Sequence, residues 1–280
     1  MLKIIFDLTQ FEEVEIVPIA DCHVGSPLAD IQALHDTIQY VLQEPENPNC
    51  ARICLLNGDL TESVTRKSVG NIFDMTMAPQ LQVATMIEML KPLSVPSEKY
   101  PNGKILSYCG GNHDVDRYKD TGITSAESIA CGLGLEDRYS HDGCYSFIKL
   151  KSKAYKEKHH TLTFTVYNSH MTGGSSTVGG KANRAAKLGL NGGILADLCI
   201  GSHVHQPITF KEDVIIPYTQ NNVLQQRTIT YCITNSFVRF GDYSQRMGMK
   251  PMPVTVPRIF LKQKKTGKES KLITYIEVLL

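Results

Sequence analysis

The sequence predicts an α/β fold, and three observations carry that prediction. Apolar runs of strand length alternate with stretches of helical periodicity through the first half of the chain. Most of those runs end in a polar turn. After Gly143 the texture shifts to two-residue alternation, the pattern of paired strands. No linker, low-complexity segment or fixed-period repeat divides the 280 residues, so residues 1–280 read as one domain.

Taken in order, residues 4–6 and 14–20 read as strands, the second ending at Asp21-Cys22-His23. Gly25-Ser26-Pro27 follows, with Ser26 placed to cap a helix and Pro27 at its first position. Leu28, Ile31, Leu34, Ile38, Val41 and Leu42 then recur at helical spacing. Residues 52–56 form the next strand and 57–62 a polar turn. A Met-rich helix over residues 72–90 is interrupted near Pro79, its methionines serving as core filler. Residues 105–109 lead into Gly110-Gly111-Asn112-His113-Asp114, where the glycines permit a sharp turn or a close approach. A helix follows near residues 125–131.

Residues 145–148 and 162–167 read as the arms of a hairpin, joined by a basic connection over 149–160 that suits a solvated tip. The second arm ends at Asn168-Ser169-His170. The glycine-rich stretch 172–180 lacks the Gly-Lys-Ser/Thr ending of a phosphate-cradling loop and reads as a mobile flap. A helix over 183–197 and a strand at 198–200 lead to Gly201-Ser202-His203-Val204-His205. Further strands are expected at 214–216, 228–234, 258–261 and 272–278.

Lys and Arg number 29 against 28 Asp and Glu, a formal net charge of +1. That balance excludes a protein that coats nucleic acid by phosphate neutralisation alone, though not a local basic groove. No run of about 18 apolar residues is present, so no membrane span is expected. The first residues lack the apolar core and cleavage site of a signal peptide. None of the eight cysteines forms a Cys-x-x-Cys pair, which leaves buried free thiols and a cytoplasmic location as the expectation.

The strand ends share one property. Asp21 and His23, Asp59, Asn112 and His113, His170, and His203 and His205 all follow β-runs, and all can ligate a metal. In a layered α/β fold, binding groups collect beyond the carboxyl ends of strands. Imidazoles, carboxylates and an amide oxygen suit Mn²⁺, Fe²⁺ or Zn²⁺ better than a thiolate site would. Asp21-x-His23 and His203-x-His205 would each face two ligands the same way in an extended chain, turning Cys22 and Val204 to the other side.

The ordered set Asp21-x-His23, Gly58-Asp59-x-x-Glu62, Gly111-Asn112-His113-Asp114, His170 and His203-x-His205 resembles the calcineurin-like metallophosphoesterases, in the spacing of their compact bacterial and phage members. Residues 243–248 resemble the tail of phage-encoded members. The resemblance implies a four-layer α/β/β/α sandwich of two mixed β-sheets flanked by helices. It also implies two divalent ions, Mn first and Fe, Zn, Ni or Mg as alternatives. Asp21, His23 and His205 would hold one ion, and Asn112, His170 and His203 the other, with Asp59 bridging. His113 would be the general acid, and the Glu62 carboxylate would orient it. Asp114 would brace the loop. One departure is that Ser202 stands where the last motif usually has glycine.

The function so implied is hydrolysis of a phosphodiester, in a nucleic acid or nucleotide, by a hydroxide held between the ions. A phosphomonoesterase is the alternative. A non-catalytic interaction module of the same fold is a third reading, opposed by the completeness of the ligand set. Lys181, Arg184, Arg239, Arg246 and Lys250 are possible phosphate contacts, with ordinary surface charge as the default. His35, His141, His159 and His160 lack motif context and are expected at the surface.

Overall fold

Central strands buried on both faces organise the molecule. The computed structural model describes residues 1–65, 72–114, 122–153, 160–175, 177–241, 251, 254–266 and 271–280. Its strands are β1 (Leu2–Leu8), β2 (Glu13–Ile19), β3 (Cys50–Asn57), β4 (Ile105–Cys109), β5 (Tyr139–Ser140), β6 (Cys144–Lys151), β7 (Thr161–Ser169), β8 (Leu198–Gly201), β9 (Ile208–Tyr218), β10 (Val223–Ile233), β11 (Arg258–Thr266) and β12 (Lys271–Leu279). Its α-helices are α1 (Ile31–Leu42), α2 (Pro79–Ser94), α3 (Ser125–Leu133) and α4 (Val178–Leu188).

The strands form two six-stranded mixed sheets. One runs β1-β6-β7-β8-β10-β9, the other β12-β11-β2-β3-β4-β5. Strand periodicity divides β3 between two cores, because successive side chains point to opposite faces. Ile53 and Leu55 meet Ile148, Val166, Leu198 and Ile200 of the other sheet, whereas Cys54 and Leu56 pack with Leu34, Met86 and Ile129 of the helices. A third cluster seats Ala185 and Leu188 of α4 on Cys199, Ile229 and Tyr231. The layers are therefore α1–α3, sheet, sheet and α4, as expected. Among the described residues no helix is long and apolar enough to cross a membrane. The cysteines are free thiols, all buried except Cys131.

Several element boundaries differ from the sequence reading. Helix α1 begins at Ile31, capped by Asp30, whose carboxylate accepts from Ala33 N at 3.1 Å. Ser26 instead accepts from Leu28 N at 3.3 Å, closing a turn before the helix. Pro79 opens α2 rather than interrupting it, since a first-turn residue needs no N–H donor. Helix α4 begins five residues earlier than expected and ends at Leu188, so the expected flap contributes its first turn. Gly179 and Gly180 disfavour a helix locally, but Thr177 Oγ1 caps Gly180 N at 3.1 Å and the helix buries Ala185 and Leu188. The β9–β10 hairpin is longer than expected because Lys211, Glu212 and Asp213 hide a strand on the sheet edge.

Lys153 leaves the basic connection to bind Glu13 at 2.8 Å; residues 154–159, including His159, lie outside the described residues. His35, His141 and His160 are exposed, as expected. The segment 243–248, with Arg246, and Lys250 also lie outside the described residues, as does Ser176 of the expected flap.

Parallel pairing sets where the turns fall. Strands β2, β3 and β4 run parallel in one sheet, and β7, β8 and β10 run parallel in the other. The turns after β2, β3, β4, β7 and β8 meet at one edge of the sandwich.

Candidate metal centre

Those five turns bring every expected site residue together. Asp21, His23 and His205 present ligand atoms that all lie within 4.8 Å of one another, as do Asp59, His170 and His203. Asn112 Oδ1 stands 3.1 Å from His170 Nε2, and His113 stacks edge-on against His23 with ring centroids 4.7 Å apart.

The backbone is strained where these candidate ligands sit. Asp21, His23, Asp59, His203 and His205 have φ of 50°, 46°, 49°, 78° and 51°, five of the eight positive values outside glycine among the described residues. Each costs on the order of 1–3 kcal/mol, and such strain clusters at functional sites. The extended geometry expected for the two i, i+2 pairs is thus replaced by left-handed turns. Cys22 and Val204 nonetheless turn into apolar clusters.

Two glycines make room for His170 and Asp59. A Cβ on Gly58 (φ +83°) would lie 2.5 Å from His170 Nδ1, and one on Gly111 would lie 2.1 Å from Asp59 Oδ1. Asp114 braces this turn. It is buried, accepts from Gly111 N at 2.7 Å, and is bonded by Ser125 Oγ at the start of α3. Burial pushes its pKa up.

Each central carboxylate has one oxygen tied to another ligand-bearing turn. Asp21 Oδ2 accepts from His203 N at 3.0 Å, and Asp59 Oδ1 accepts from His113 N at 3.0 Å. The remaining oxygens face imidazoles: Asp21 Oδ1 is 3.1 Å from His205 Nε2, and Asp59 Oδ2 is 3.0 Å from His170 Nε2. Burial disfavours both charged carboxylates, but the facing imidazoles outweigh it and hold both below the ordinary carboxylate range. Burial likewise opposes charge on His170 and His23, yet Asp59 raises the first to about 10 and Glu62 the second to about 9. His203 is lowered, chiefly by burial.

Hydrogen bonds on the outer nitrogens orient the rings. His170 Nδ1 lies 2.8 Å from the Asn57 carbonyl, which can only accept, so Nδ1 carries the proton and Nε2 faces Asp59 and Asn112. His23 Nδ1 lies 2.7 Å from Glu62 Oε2, leaving Nε2 turned inward, buried and without a hydrogen-bond partner. An orphaned imidazole nitrogen beside two carboxylates fits a metal ligand, and the donor set of imidazoles, carboxylates and one amide suits a divalent first-row ion.

The expected role of the Glu62 carboxylate does not match its position. It binds His23, while His113 Nδ1 is held 2.7 Å from the Glu62 backbone carbonyl. The reason is the pairing of the two turns, in which Glu62 N donates to Val24 O at 3.0 Å and so sets the Glu62 side chain beside His23.

The sequence reading missed the supporting roles of Asn57, Asn168 and Ser107, and named Ser202 only as a departure from the last motif. Asn57, Asn168, Ser107 and Ser202 are fully buried and linked: Asn168 Nδ2 donates to Asn57 Oδ1 at 3.0 Å, and Ser107 Oγ to Asn168 Oδ1 at 2.9 Å. Asn57 and Asn168, amides at the ends of strands just before the turns, were the available signal. Lys181 donates to Val204 O at 3.2 Å and to Gln206 Oε1 at 2.9 Å, and Arg184 to Thr172 O at 2.7 Å. These cations clamp ligand-bearing loops, and Arg239 pairs with Asp30 at 2.9 Å.

No protein-family model matches the chain, and no curated protein matches it. Among solved structures, a metallophosphoesterase from Sphaerobacter thermophilus aligns at 12% identity with a TM-score of 0.36, covering 95% of this chain and 88% of that chain. What the centre can do follows from its own residues.

Proposed function

We propose that the chain is a binuclear metal-dependent phosphoesterase acting on a phosphodiester in a nucleic acid or nucleotide. The observation that supports this most directly is the convergence of seven ligand-capable side chains from five strand ends, five of them on strained backbone. Asp21, His23 and His205 would hold one ion, and Asn112, His170 and His203 the other, with Asp59 between them. Mn²⁺ is the proposed metal. Such ions would polarise the phosphoryl oxygens and acidify a water.

The chain's own residues supply orientation and the proton. His113 keeps its Nδ1 on the Glu62 carbonyl at 2.7 Å, so its Nε2 is the nitrogen available to a leaving group. When protonated there, it can deliver the proton that a departing alkoxide needs, a contribution of about 10²–10⁴-fold. The Asp59–His113 backbone bond keeps that ring in register with the metal centre.

Among the described residues, the candidate cations named from the sequence support the diester over a monoester. A monoester dianion calls for an extra positive partner, and Lys181, Arg184 and Arg239 are each engaged with protein oxygens. A Mn²⁺-supplemented panel of a phosphomonoester, a phosphodiester, single- and double-stranded DNA, RNA and cyclic nucleotides tests the proposal. Turnover of at least one diester above the monoester is expected. Preference for the monoester over every diester would overturn the substrate class. Fewer than one ion per chain with no Mn²⁺-stimulated turnover would make the chain a non-catalytic module.

A further inference from the structure

We propose that the Glu62 carboxylate is a positioning residue for His23, setting the affinity of one metal position, and that it plays no part in orienting His113. This rests on the metal reading above. The pairing is direct, with Glu62 Oε2 2.7 Å from His23 Nδ1. A carboxylate that accepts from Nδ1–H keeps the proton there, leaves the lone pair on Nε2, fixes the ring plane and strengthens the ring as a metal donor. The other end of the same ring is the buried, unpartnered Nε2. Carboxylate, imidazole and an open inward nitrogen form a chain that a metal ion at the centre would complete.

The pairing is built into the backbone. The turns after β2 and β3 run side by side, joined by Asp21 N to Gly58 O at 3.0 Å, His23 N to Asp59 O at 3.0 Å, Val24 N to Leu60 O at 3.1 Å and Glu62 N to Val24 O at 3.0 Å. That ladder puts Glu62 beside His23 by register. His113 is served separately, because its Nδ1 partner is the Glu62 carbonyl, which no side-chain substitution removes. The two roles of position 62 therefore separate cleanly on mutation.

The test compares apo wild type, Glu62→Ala and the near-isosteric Glu62→Gln as full chains, titrated with Mn²⁺ and read by the electron paramagnetic resonance of the free ion. Glu62→Ala is expected to weaken one Mn²⁺ position by about 10–100-fold and to leave the other nearly unchanged. Glu62→Gln is expected to fall between, because its amide oxygen still accepts from Nδ1 without the charge. At saturating Mn²⁺, the rate ratio between a poor alkoxide and a good phenolate leaving group should match wild type in both variants. Wild-type Mn²⁺ affinity in Glu62→Gln and Glu62→Ala, or a loss confined to the poor leaving group, would overturn the proposal and return the carboxylate to His113. A wild-type chain that takes up no Mn²⁺, Fe²⁺ or Zn²⁺ would instead remove the metal reading beneath it.

Discussion

The hydroxyl of Ser202, at the end of β8, donates to the backbone carbonyl of Asn57, at the end of β3, across 2.6 Å. The two residues belong to different sheets, so this bond and Asn57 Nδ2 to Ser202 Oγ at 3.0 Å stitch the sandwich together directly beneath His170. The same hydroxyl lies 2.8 Å from His170 Nδ1. Ser202 has no positive φ, so a glycine is not required there by conformation.

Removing that hydroxyl strands a buried donor. In Ser202→Ala one Asn57 Nδ2 proton loses its acceptor while the other keeps Ser169 O at 3.0 Å. A loss of about 1–3 kcal/mol is expected. Urea unfolding of wild type and variant measures it, and an unchanged midpoint would show the seam to be dispensable.

Gly111 is the tightest point of the centre. In Gly111→Ala the new methyl would meet Asp59 Oδ1 at 2.1 Å and Asp59 N at 2.3 Å, so the Asp59 turn must move. Overpacking of this kind costs about 1–3 kcal/mol. Loss of bound metal beyond the loss of stability is expected, read by elemental analysis of the purified variant against wild type.

His113→Ala separates chemistry from metal binding. The His113 side chain is absent from the proposed ligand set, and its backbone N–H to Asp59 survives the substitution. Metal content should be retained. Turnover should fall by about 10²–10⁴-fold on an alkoxide leaving group and much less on a phenolate. An equal fall on both would remove the proton-donor role.

Acid stability has one identifiable source away from the centre. Burial raises the Glu15 pKa, but hydrogen bonds from Arg258 at 2.5 Å, Arg52 at 2.7 Å and Tyr40 at 2.7 Å outweigh it and hold the group below its ordinary value of 4.5. A depressed folded pKa gives stabilisation that is present above the unfolded pKa and lost as pH falls through the folded one. Glu15→Gln should therefore cost about 3–5 kcal/mol at pH 7, where it leaves buried Arg52 unpaired. The gap between variant and wild type should narrow below pH 4.5. Denaturant unfolding at pH 7 and pH 3.5 checks both parts, and a gap independent of pH would be incompatible with ionised Glu15.

Much of this molecule is legible in the chain. The apolar run of β3, period-two alternation in β7, helical spacing in α1, and the donors at the ends of β2, β3, β4, β7 and β8 are local patterns. They depend on residues within a few positions of one another. The start of α4 was hidden because Gly179-Gly180 disfavours a helix locally, whereas the packing of Ala185 and Leu188 against β8 and β10 is long-range. The first half of the edge strand β9 was hidden because solvent on one side permits charges that an interior strand excludes.

By itself the sequence determined which atoms could ligate, and that each follows a strand, because side-chain chemistry and periodicity are properties of the chain alone. Only the tertiary structure decided the partners. It gave the Glu62 carboxylate to His23 and its carbonyl to His113, joined Ser202 to Asn57 across two sheets, and turned Lys181 and Arg184 onto loop carbonyls. The physical reason is distance. A hydrogen bond acts over about 3 Å, and which distant residues come that close is set by strand register and by the left-handed turns at Asp21, His23 and Asp59.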